Sequence, residues 1–463
     1  MAFGKKSNYS IDMTTGPLLP QMLRFAVPLM LSSILQLLFN AADLVVVSRF
    51  AGDNAMAAVG ANSALINLLI TLFMGLAVGA NVQASMERGA GKMEELDKTV
   101  HTAMLLSLIG GVVLIFVGLV SAPLMLGWMG APAAILDQAV LYLRIYFLGM
   151  PANMVYNFGA ALLRSVGDTR RPLYYLTFAG VVNVVLNLIL VIVFHLDVAG
   201  VGIATVASQV ISAVLVVRCM LRAESDIHLD LRRLRIHKEK VRGIVRVGLP
   251  AGLQGTMFAL SNVVIQSSVN SFGEIVVAGN AASLNLEGFI YCVEGALMQA
   301  AQSFTGQNVG AGKYERLPRI LTVAVGCAAV SSVVIAILGV FVGESLLGIY
   351  TQTPEVLQAG MNRLSLMTKV YFLASTMDIM VGTLRGMGKA VMPTLVSLVG
   401  VCGFRLVWIA TVFRIPAYHS ILTVYVSYPI TWALTSLAHF CCWFVIYRKL
   451  RRVYEETESK LHV

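Results

Sequence analysis

Leu163–Pro172 reads LRSVGDTRRP and Leu384–Pro393 reads LRGMGKAVMP, so Leu, Arg, Gly and Pro recur at a shift of 221 residues. The same shift carries Gly89-Ala90-Gly91-Lys92 onto Gly310-Ala311-Gly312-Lys313 and Leu96 onto Leu317, and Pro28 meets Pro250 one residue off register. Anchors spread over both halves make the chain an internal duplication. Two apolar halves of about 220 residues are the usual plan of a secondary transporter whose substrate site lies between related bundles.

Composition agrees with this plan. Hydrophobic residues form 57% of the 463 and charged residues 13%, too few to cover a water-soluble surface. Twelve apolar stretches, from 18–49 to 420–447, are long enough to cross a bilayer, where backbone groups must bond within their own segment and long apolar runs are helices. The expected fold is therefore all-α and integral to the membrane. Six helices in an N-lobe (18–222) and six in a C-lobe (243–447) form parallel repeats around a central cavity. An N-terminal segment (1–17), a basic linker (223–242) and a tail (448–463) complete the chain. With the N-terminus inside, 28 of the 34 Lys and Arg fall on one side, which predicts that both termini are cytoplasmic. No signal peptide is apparent. The +10 net charge follows from this bias and calls for no nucleic-acid partner. The linker's RRLRIHKEKVR run reads as a charged connection between lobes rather than a lipid-facing segment. The six cysteines show neither a disulfide framework nor metal-ligand spacing.

Polar residues inside the spans carry the functional signal. Gln36, Asn40 and Asp43 recur at i, i+4 and i+7 on the first helix, hence on one face. Asn183 and Asn187 lie on helix 5 and Asn153 and Asn157 on helix 4. The amides could ring a water-filled cavity or simply glue helices together. A carboxylate deep in a span costs ~2.5 to 3.5 kcal/mol and commonly serves an ion or substrate pathway, which singles out Asp43. In the second half Glu287 and Glu294 share a helix face and Asp378, the repeat mate of Asn157, lies on helix 10. Glu287, nearest the midplane, is the better candidate for binding cations there. Arg405 is placed to reach Asp378 as a structural pair. No HExxH or GxSxG occurs, and GAGK lacks the flanking residues of a phosphate loop, so neither an enzyme nor an ATP-driven pump is expected.

LFNAADLVVVSRFAGDNAMAAVGAN (Leu38–Asn62), the two repeated turns, NVVLN (Asn183–Asn187) and FTGQNVGAGK (Phe304–Lys313) together resemble the multidrug and toxic compound extrusion (MATE) family, from about Leu18 to Leu450. The resemblance implies two six-helix lobes that exchange protons or sodium ions for organic, often cationic, drug-like compounds. It points to the prokaryotic branch with a first-helix aspartate, whose N-lobe site Asp43 matches, to a bacterial inner membrane, and to Pro28 as the residue at which that first helix bends. The family pattern often has an aspartate four residues after the helix-5 asparagine. Here the second position is Asn187, so coupling rests on Asp43 with Asn183, Asn187, Gln36 and Asn40, and sodium at Asp43, Asn183 and Asn187 is one option. Asn153, Asn157, Glu287, Glu294 and Asp378 are the expected substrate or second cation residues. No cofactor is expected besides the coupling ion, and the partners are small substrates and lipids around a monomer. A lipid-linked precursor flippase of related fold is the alternative.

Overall fold

The structure, a computed structural model, describes residues 9–129, 132–222 and 226–461, without the side chains of Asp53, Ala64 and 457–461. Lys5 and Lys6, residues 223–225 of the linker and 462–463 of the tail lie outside the described residues. The helices are α1 (Leu18–Phe50), α2 (Asp53–Gly89), α3 (Met93–Trp128), α4 (Ala133–Leu148), α5 (Met150–Ser165), α6 (Arg170–Leu188), α7 (Asp197–Leu221), α8 (Lys238–Asn270), α9 (Glu274–Gly310), α10 (Leu317–Phe341), α11 (Gly343–Leu347), α12 (Pro354–Gly386), α13 (Val391–Ser397), α14 (Phe404–Ala410) and α15 (Ile421–Leu461). Single π turns at Ile189–Val193 and Leu398–Gly403 prolong α6 and join α13 to α14. No strand occurs among the described residues.

Ten of these segments are long and apolar enough to cross a membrane, and the pair α4 and α5 makes an eleventh. That pair bends by 48°. Pro151 in the first turn of α5 supplies no N–H to the turn before it, so the ladder breaks beside Gly149. With the 33-residue α8, whose Gly, Gln and Asn residues make it less apolar, the crossings number twelve.

The duplication is written into the backbone. Gly52 and Gly273 have φ of 88° and 89°, Gly91 and Gly312 68° and 70°, and Gly167 and Gly388 87° and 73°. Each pair is separated by the 221 residues of the repeat. At the second pair the chain leaves α2 and α9 in the same way. The N–H of Lys92 donates to the Glu87 carbonyl at 3.0 Å and that of Lys313 to the Asn308 carbonyl at 2.9 Å, a helix end that needs a left-handed residue and takes glycine.

Two compact units result, one from Met1–Asp12 with Val27–Gly252, the other from Met13–Ala26 with Leu253–Val463. The boundary therefore does not follow the linker. It runs through α1 and α8, one or two residues from Pro28 and two or three from Pro250, so the start of each half's first helix belongs to the other half's unit. The first unit has a core of small and branched aliphatic residues, among them Val100, Ala103, Leu114 and Val201. The second has an aromatic core around Tyr371, Tyr425, Tyr428 and Trp432.

Within the first unit α2 and α8 touch backbone to backbone. A Cβ on Gly75 would lie 2.3 Å from the Gly252 nitrogen, and one on Gly79 2.1 Å from the Ile244 carbonyl oxygen. Gly75 and Gly79 face Gly248 and Gly252 as two small-xxx-small pairs, the pattern that lets membrane helices approach most closely. The linker is docked beneath them. Ile227 and Leu229 are buried, Asp226 pairs with Arg88 at 2.9 Å, Arg233 with Asp97 at 2.8 Å, and the Asp230 N–H donates to His101 Nε2 at 3.1 Å. The charged run is thus an anchored strap rather than a loose connection.

A Gly79→Ala protein should melt at a lower temperature in detergent than the parent, because its methyl group meets a carbonyl that neither helix can move alone. Gly60→Ala, with nothing within 4 Å of the added carbon, should melt at the parent temperature or above it. Equal melting of the two variants would contradict the seam.

Candidate functional site

In the first unit the polar residues of α1 and α6 converge. Gly180 sits against the Phe39 ring, where any side chain would collide, and this close approach brings Asp43 beside Asn187. Asn187 Nδ2 donates to Asp43 Oδ1, and the same amide group lies 3.4 Å from Asn183 Oδ1. Asn187 is fully buried, Asn183 is buried and Asp43 is half-buried. Asn187 Oδ1, though buried, has no hydrogen-bond partner among the described residues. The π turn that starts at Ile189 follows directly, and such turns often mark functional positions. Tyr142 and Tyr146 of α4 lie within electrostatic reach of Asp43.

Not every expected member joins this group. Gln36 and Asn40 share the Asp43 face of α1 but are exposed, and among the described residues no hydrogen bond joins either to Asp43. Asn153 and Asn157 bond to each other, Asn157 Nδ2 donating to Asn153 Oδ1 at 2.9 Å and to its carbonyl at 2.8 Å. Pro28 stands inside α1 next to the point where the helix changes unit.

In the second unit Glu287 is already compensated. Arg363 Nε donates to its Oε1 at 2.7 Å and Nη2 to its Oε2 at 2.9 Å, with Ser283 and Tyr371 hydroxyls donating at 3.1 and 2.9 Å. Arg363 is 2% exposed and also donates to Asn280 Oδ1 at 3.1 Å. Its guanidinium lies over the Tyr425 and Tyr428 rings, at 5.2 and 5.3 Å. A bidentate arginine with two hydroxyls satisfies both carboxylate oxygens, so Glu287 has little capacity left for a further cation.

Glu294 and Asp378 are placed differently. Glu294 Oε1 accepts from Ser375 Oγ, while its buried Oε2 has no partner among the described residues. Asp378 lines a cavity of about 90 Å³ with Phe258, Asn262, Tyr291, Arg405 and Trp432. The expected Arg405–Asp378 pair is not among the ion pairs of the described residues. Arg405 Nη2 donates instead to Thr431 at 3.0 Å and its guanidinium stacks 4.0 Å over Tyr428. Both charges face one small aromatic cavity without neutralising each other.

A sequence model of the MatE family matches residues 28–189 and again 250–411, once in each repeat. The chain belongs to the MatE family. It is 26% identical over 432 residues to the Bacillus subtilis protein named "Probable multidrug resistance protein YoeA", covering 92% of this chain and 93% of that one. It is 25% identical over 344 residues to the FAD transporter of Shewanella oneidensis, covering 73% and 75%. Its fold matches the outward-facing conformation of a multidrug resistance MATE family transporter of the MOP superfamily with a TM-score of 0.90 at 20% identity, over 97% of this chain and 100% of that one.

This MatE chain is a multi-pass membrane transporter and not an enzyme. Of its candidate site carboxylates, Glu287 is tied to an arginine, whereas Asp43 meets an amide, Glu294 a hydroxyl, and Asp378 borders a cavity. Sequence reasoning missed the Glu287–Arg363 pair, for which the only available signal was a basic residue near the start of an apolar helix. Replacing Arg363 by Met should destabilise the protein strongly, by ~3 to 5 kcal/mol, because Glu287 is left charged and buried; adding Glu287→Leu should recover much of the loss. Thermal unfolding in detergent measures both. A single variant as stable as the parent would show that the pair is not buried as described.

Proposed function

We propose that the chain is a secondary active multidrug efflux antiporter that exports organic, amphipathic and often cationic compounds in exchange for protons or sodium ions taken up at Asp43. Family membership and the multidrug resistance name of the Bacillus relative support efflux. The observation that carries the coupling site is the Asp43–Asn187 contact with the unpartnered Asn187 Oδ1 beside it.

Chemically the amide serves both states of the carboxyl. Charged Asp43 accepts from Asn187 Nδ2, whereas protonated Asp43 becomes a donor and Asn187 Oδ1 is the acceptor at hand. A sodium ion would find three oxygens of the kind it prefers, from Asp43, Asn187 and Asn183. With a single carboxyl in the group, each loading event neutralises the site's one negative charge. Loading exchanges the Asn187 Nδ2–Asp43 hydrogen bond that ties α1 to α6 for a contact through Asn187 Oδ1, and α1 is one of the two helices passing between the units. One inward charge is worth ~2.3 kcal/mol per 100 mV, enough to drive a cycle of this kind. The terminal side, where the basic residues gather, is the cytoplasmic side of a bacterial inner membrane in this reading.

Glu294 and Asp378 with the aromatic cavity of the second unit form the proposed substrate or second-cation subsite. A further reading concerns substrate charge. Arg405, whose Nε is buried without a partner among the described residues, lines that cavity, which suits a planar substrate carrying an anionic group, and one relative is named as an FAD transporter.

In vesicles reconstituted with the purified protein, an imposed pH gradient in sodium-free buffer and an imposed sodium gradient at constant pH are the two arms, read with ethidium and a flavin as probes. The parent should respond to at least one. Asp43→Asn should elute and melt like the parent yet show background gradient-driven transport, since an amide takes up no proton and brings no negative charge to hold sodium. Full gradient-driven transport by this variant would move the coupling site to Glu294 or Asp378.

A further inference from the structure

The chain passes between its two compact units at three places, after Asp12, after Ala26 and after Gly252. The last two lie inside helices, beside Pro28 and Pro250. Pro250 offers no N–H to the carbonyl of Arg246 and weakens the ladder where α8 changes unit. Any displacement of one unit against the other has to be absorbed at these three points. What keeps the α8 point at Pro250, instead of in the linker before Lys238, is whatever binds Lys238–Gly252 to the first unit.

That binding is one continuous antiparallel seam. At its outer end Lys240 Nζ lies 2.6 Å from Glu87 Oε1 and 2.6 Å from Glu95 Oε2, with Lys240 5% and Glu87 9% exposed. Thr99 donates to Glu87 Oε2 at 2.6 Å and Gln83 to Oε1 at 2.9 Å. Gln83 lies against Gly243, Gly79 against Ile244 and Gly248, and Gly75 against Gly248 and Gly252. Positions 87, 83, 79 and 75 thus form one stripe of α2 from the ion pair to the joint.

The repeat mate of Glu87 is Asn308, in the last turn of α9. It is fully buried, and its Nδ2 donates to the Met13 carbonyl at 2.9 Å. The Met13 N–H reaches Gln307 Oε1 at 3.4 Å, Lys313 Nζ donates to the Thr14 carbonyl at 2.8 Å, and Phe25 meets Phe304 edge to face at 5.9 Å. Here the gripped segment leads into α1 and belongs to the second unit. At one repeat position, then, each unit holds the stretch of chain that goes on to cross into the other.

We propose that Glu87 with Lys240, and Asn308 with the Met13 backbone, are permanent anchors that place the two joints of the transport cycle at Pro250 and Pro28. They are positioning residues, and they stay closed while the units move. The inference rests on the transport reading above but is separable from it. A gate would have to open in each turnover, whereas an anchor tolerates being tied shut.

The test ties it shut. In a cysteine-free parent, Glu87→Cys and Lys240→Cys are joined in detergent by a bifunctional, reducible thiol reagent, and the protein is reconstituted for the gradient-driven assay. The linked protein is expected to transport within about twofold of the parent, and the unlinked double variant more slowly, by roughly 2- to 30-fold, the range exerted by coupling residues remote from a ligand. Loss of transport on linking, regained on reduction, would overturn the proposal by showing that the pair must part. So would an unlinked variant as fast as the parent. A parent that moves no compound under either gradient would defeat the transport reading instead. Should the double variant fail to accumulate, Lys240→Arg and Lys240→Met read the same claim. Arg should keep the rate, while Met should lower the maximal rate with KM unchanged; an equal rate in both variants, or a changed KM at an unchanged rate, would count against the anchor.

Discussion

A polar group inside a bilayer has to find its partner within the protein, and the places where this chain meets or leaves open that demand organise everything else about it. Backbone groups meet it by forming helices. Glu287 meets it with Arg363, Ser283 and Tyr371, which fastens α9 to α12 and sets the aromatic core of the second unit. Asp43 meets it only in part, with a neutral amide that keeps an unused acceptor. A buried charge compensated by an arginine is committed to structure. One compensated by amides can still exchange its proton or ion.

The same demand shapes the passages between the units. Proline inside a crossing helix leaves a carbonyl without its usual donor, and two of these prolines, Pro28 and Pro250, stand where α1 and α8 change unit. Weak points of this kind are useful in a moving protein only if the helix on either side is firmly held. Glycines packed backbone to backbone hold α8 on one side of Pro250, and the docked linker carries Lys240 to Glu87 at the end of the seam. Asymmetry between the halves lies in the chemistry of the grip, charged at Glu87 and neutral at Asn308, and not in its place in the repeat.

How much of this was legible in the sequence depended on the range of the signal. The duplication could be read from two turns, and three pairs of left-handed glycines show why those turns are alike. Asp43 and Asn187, 144 residues apart, were legible as a group because each was a polar interruption of an apolar run at similar depth. Arg363 was passed over, since a basic residue near a helix end reads as a positive charge in water unless its partner, 76 residues earlier, is known. The GLAVG and GLPAG pairs went unread for a like reason: a small residue signals nothing until the helix opposite is identified. The linker's charges read only as a connection between lobes because their partners on α2 and α3 are remote in sequence.

The central claim, that Asp43 exchanges its ion against substrate, is tested most directly by binding rather than by flux. Purified protein in weakly buffered detergent, with and without sodium, is titrated with a transported compound while released protons and sodium are counted. Substrate should displace about one proton or one sodium ion per molecule from the parent, and none from Asp43→Asn. Release of the same number of ions by the variant would contradict the account.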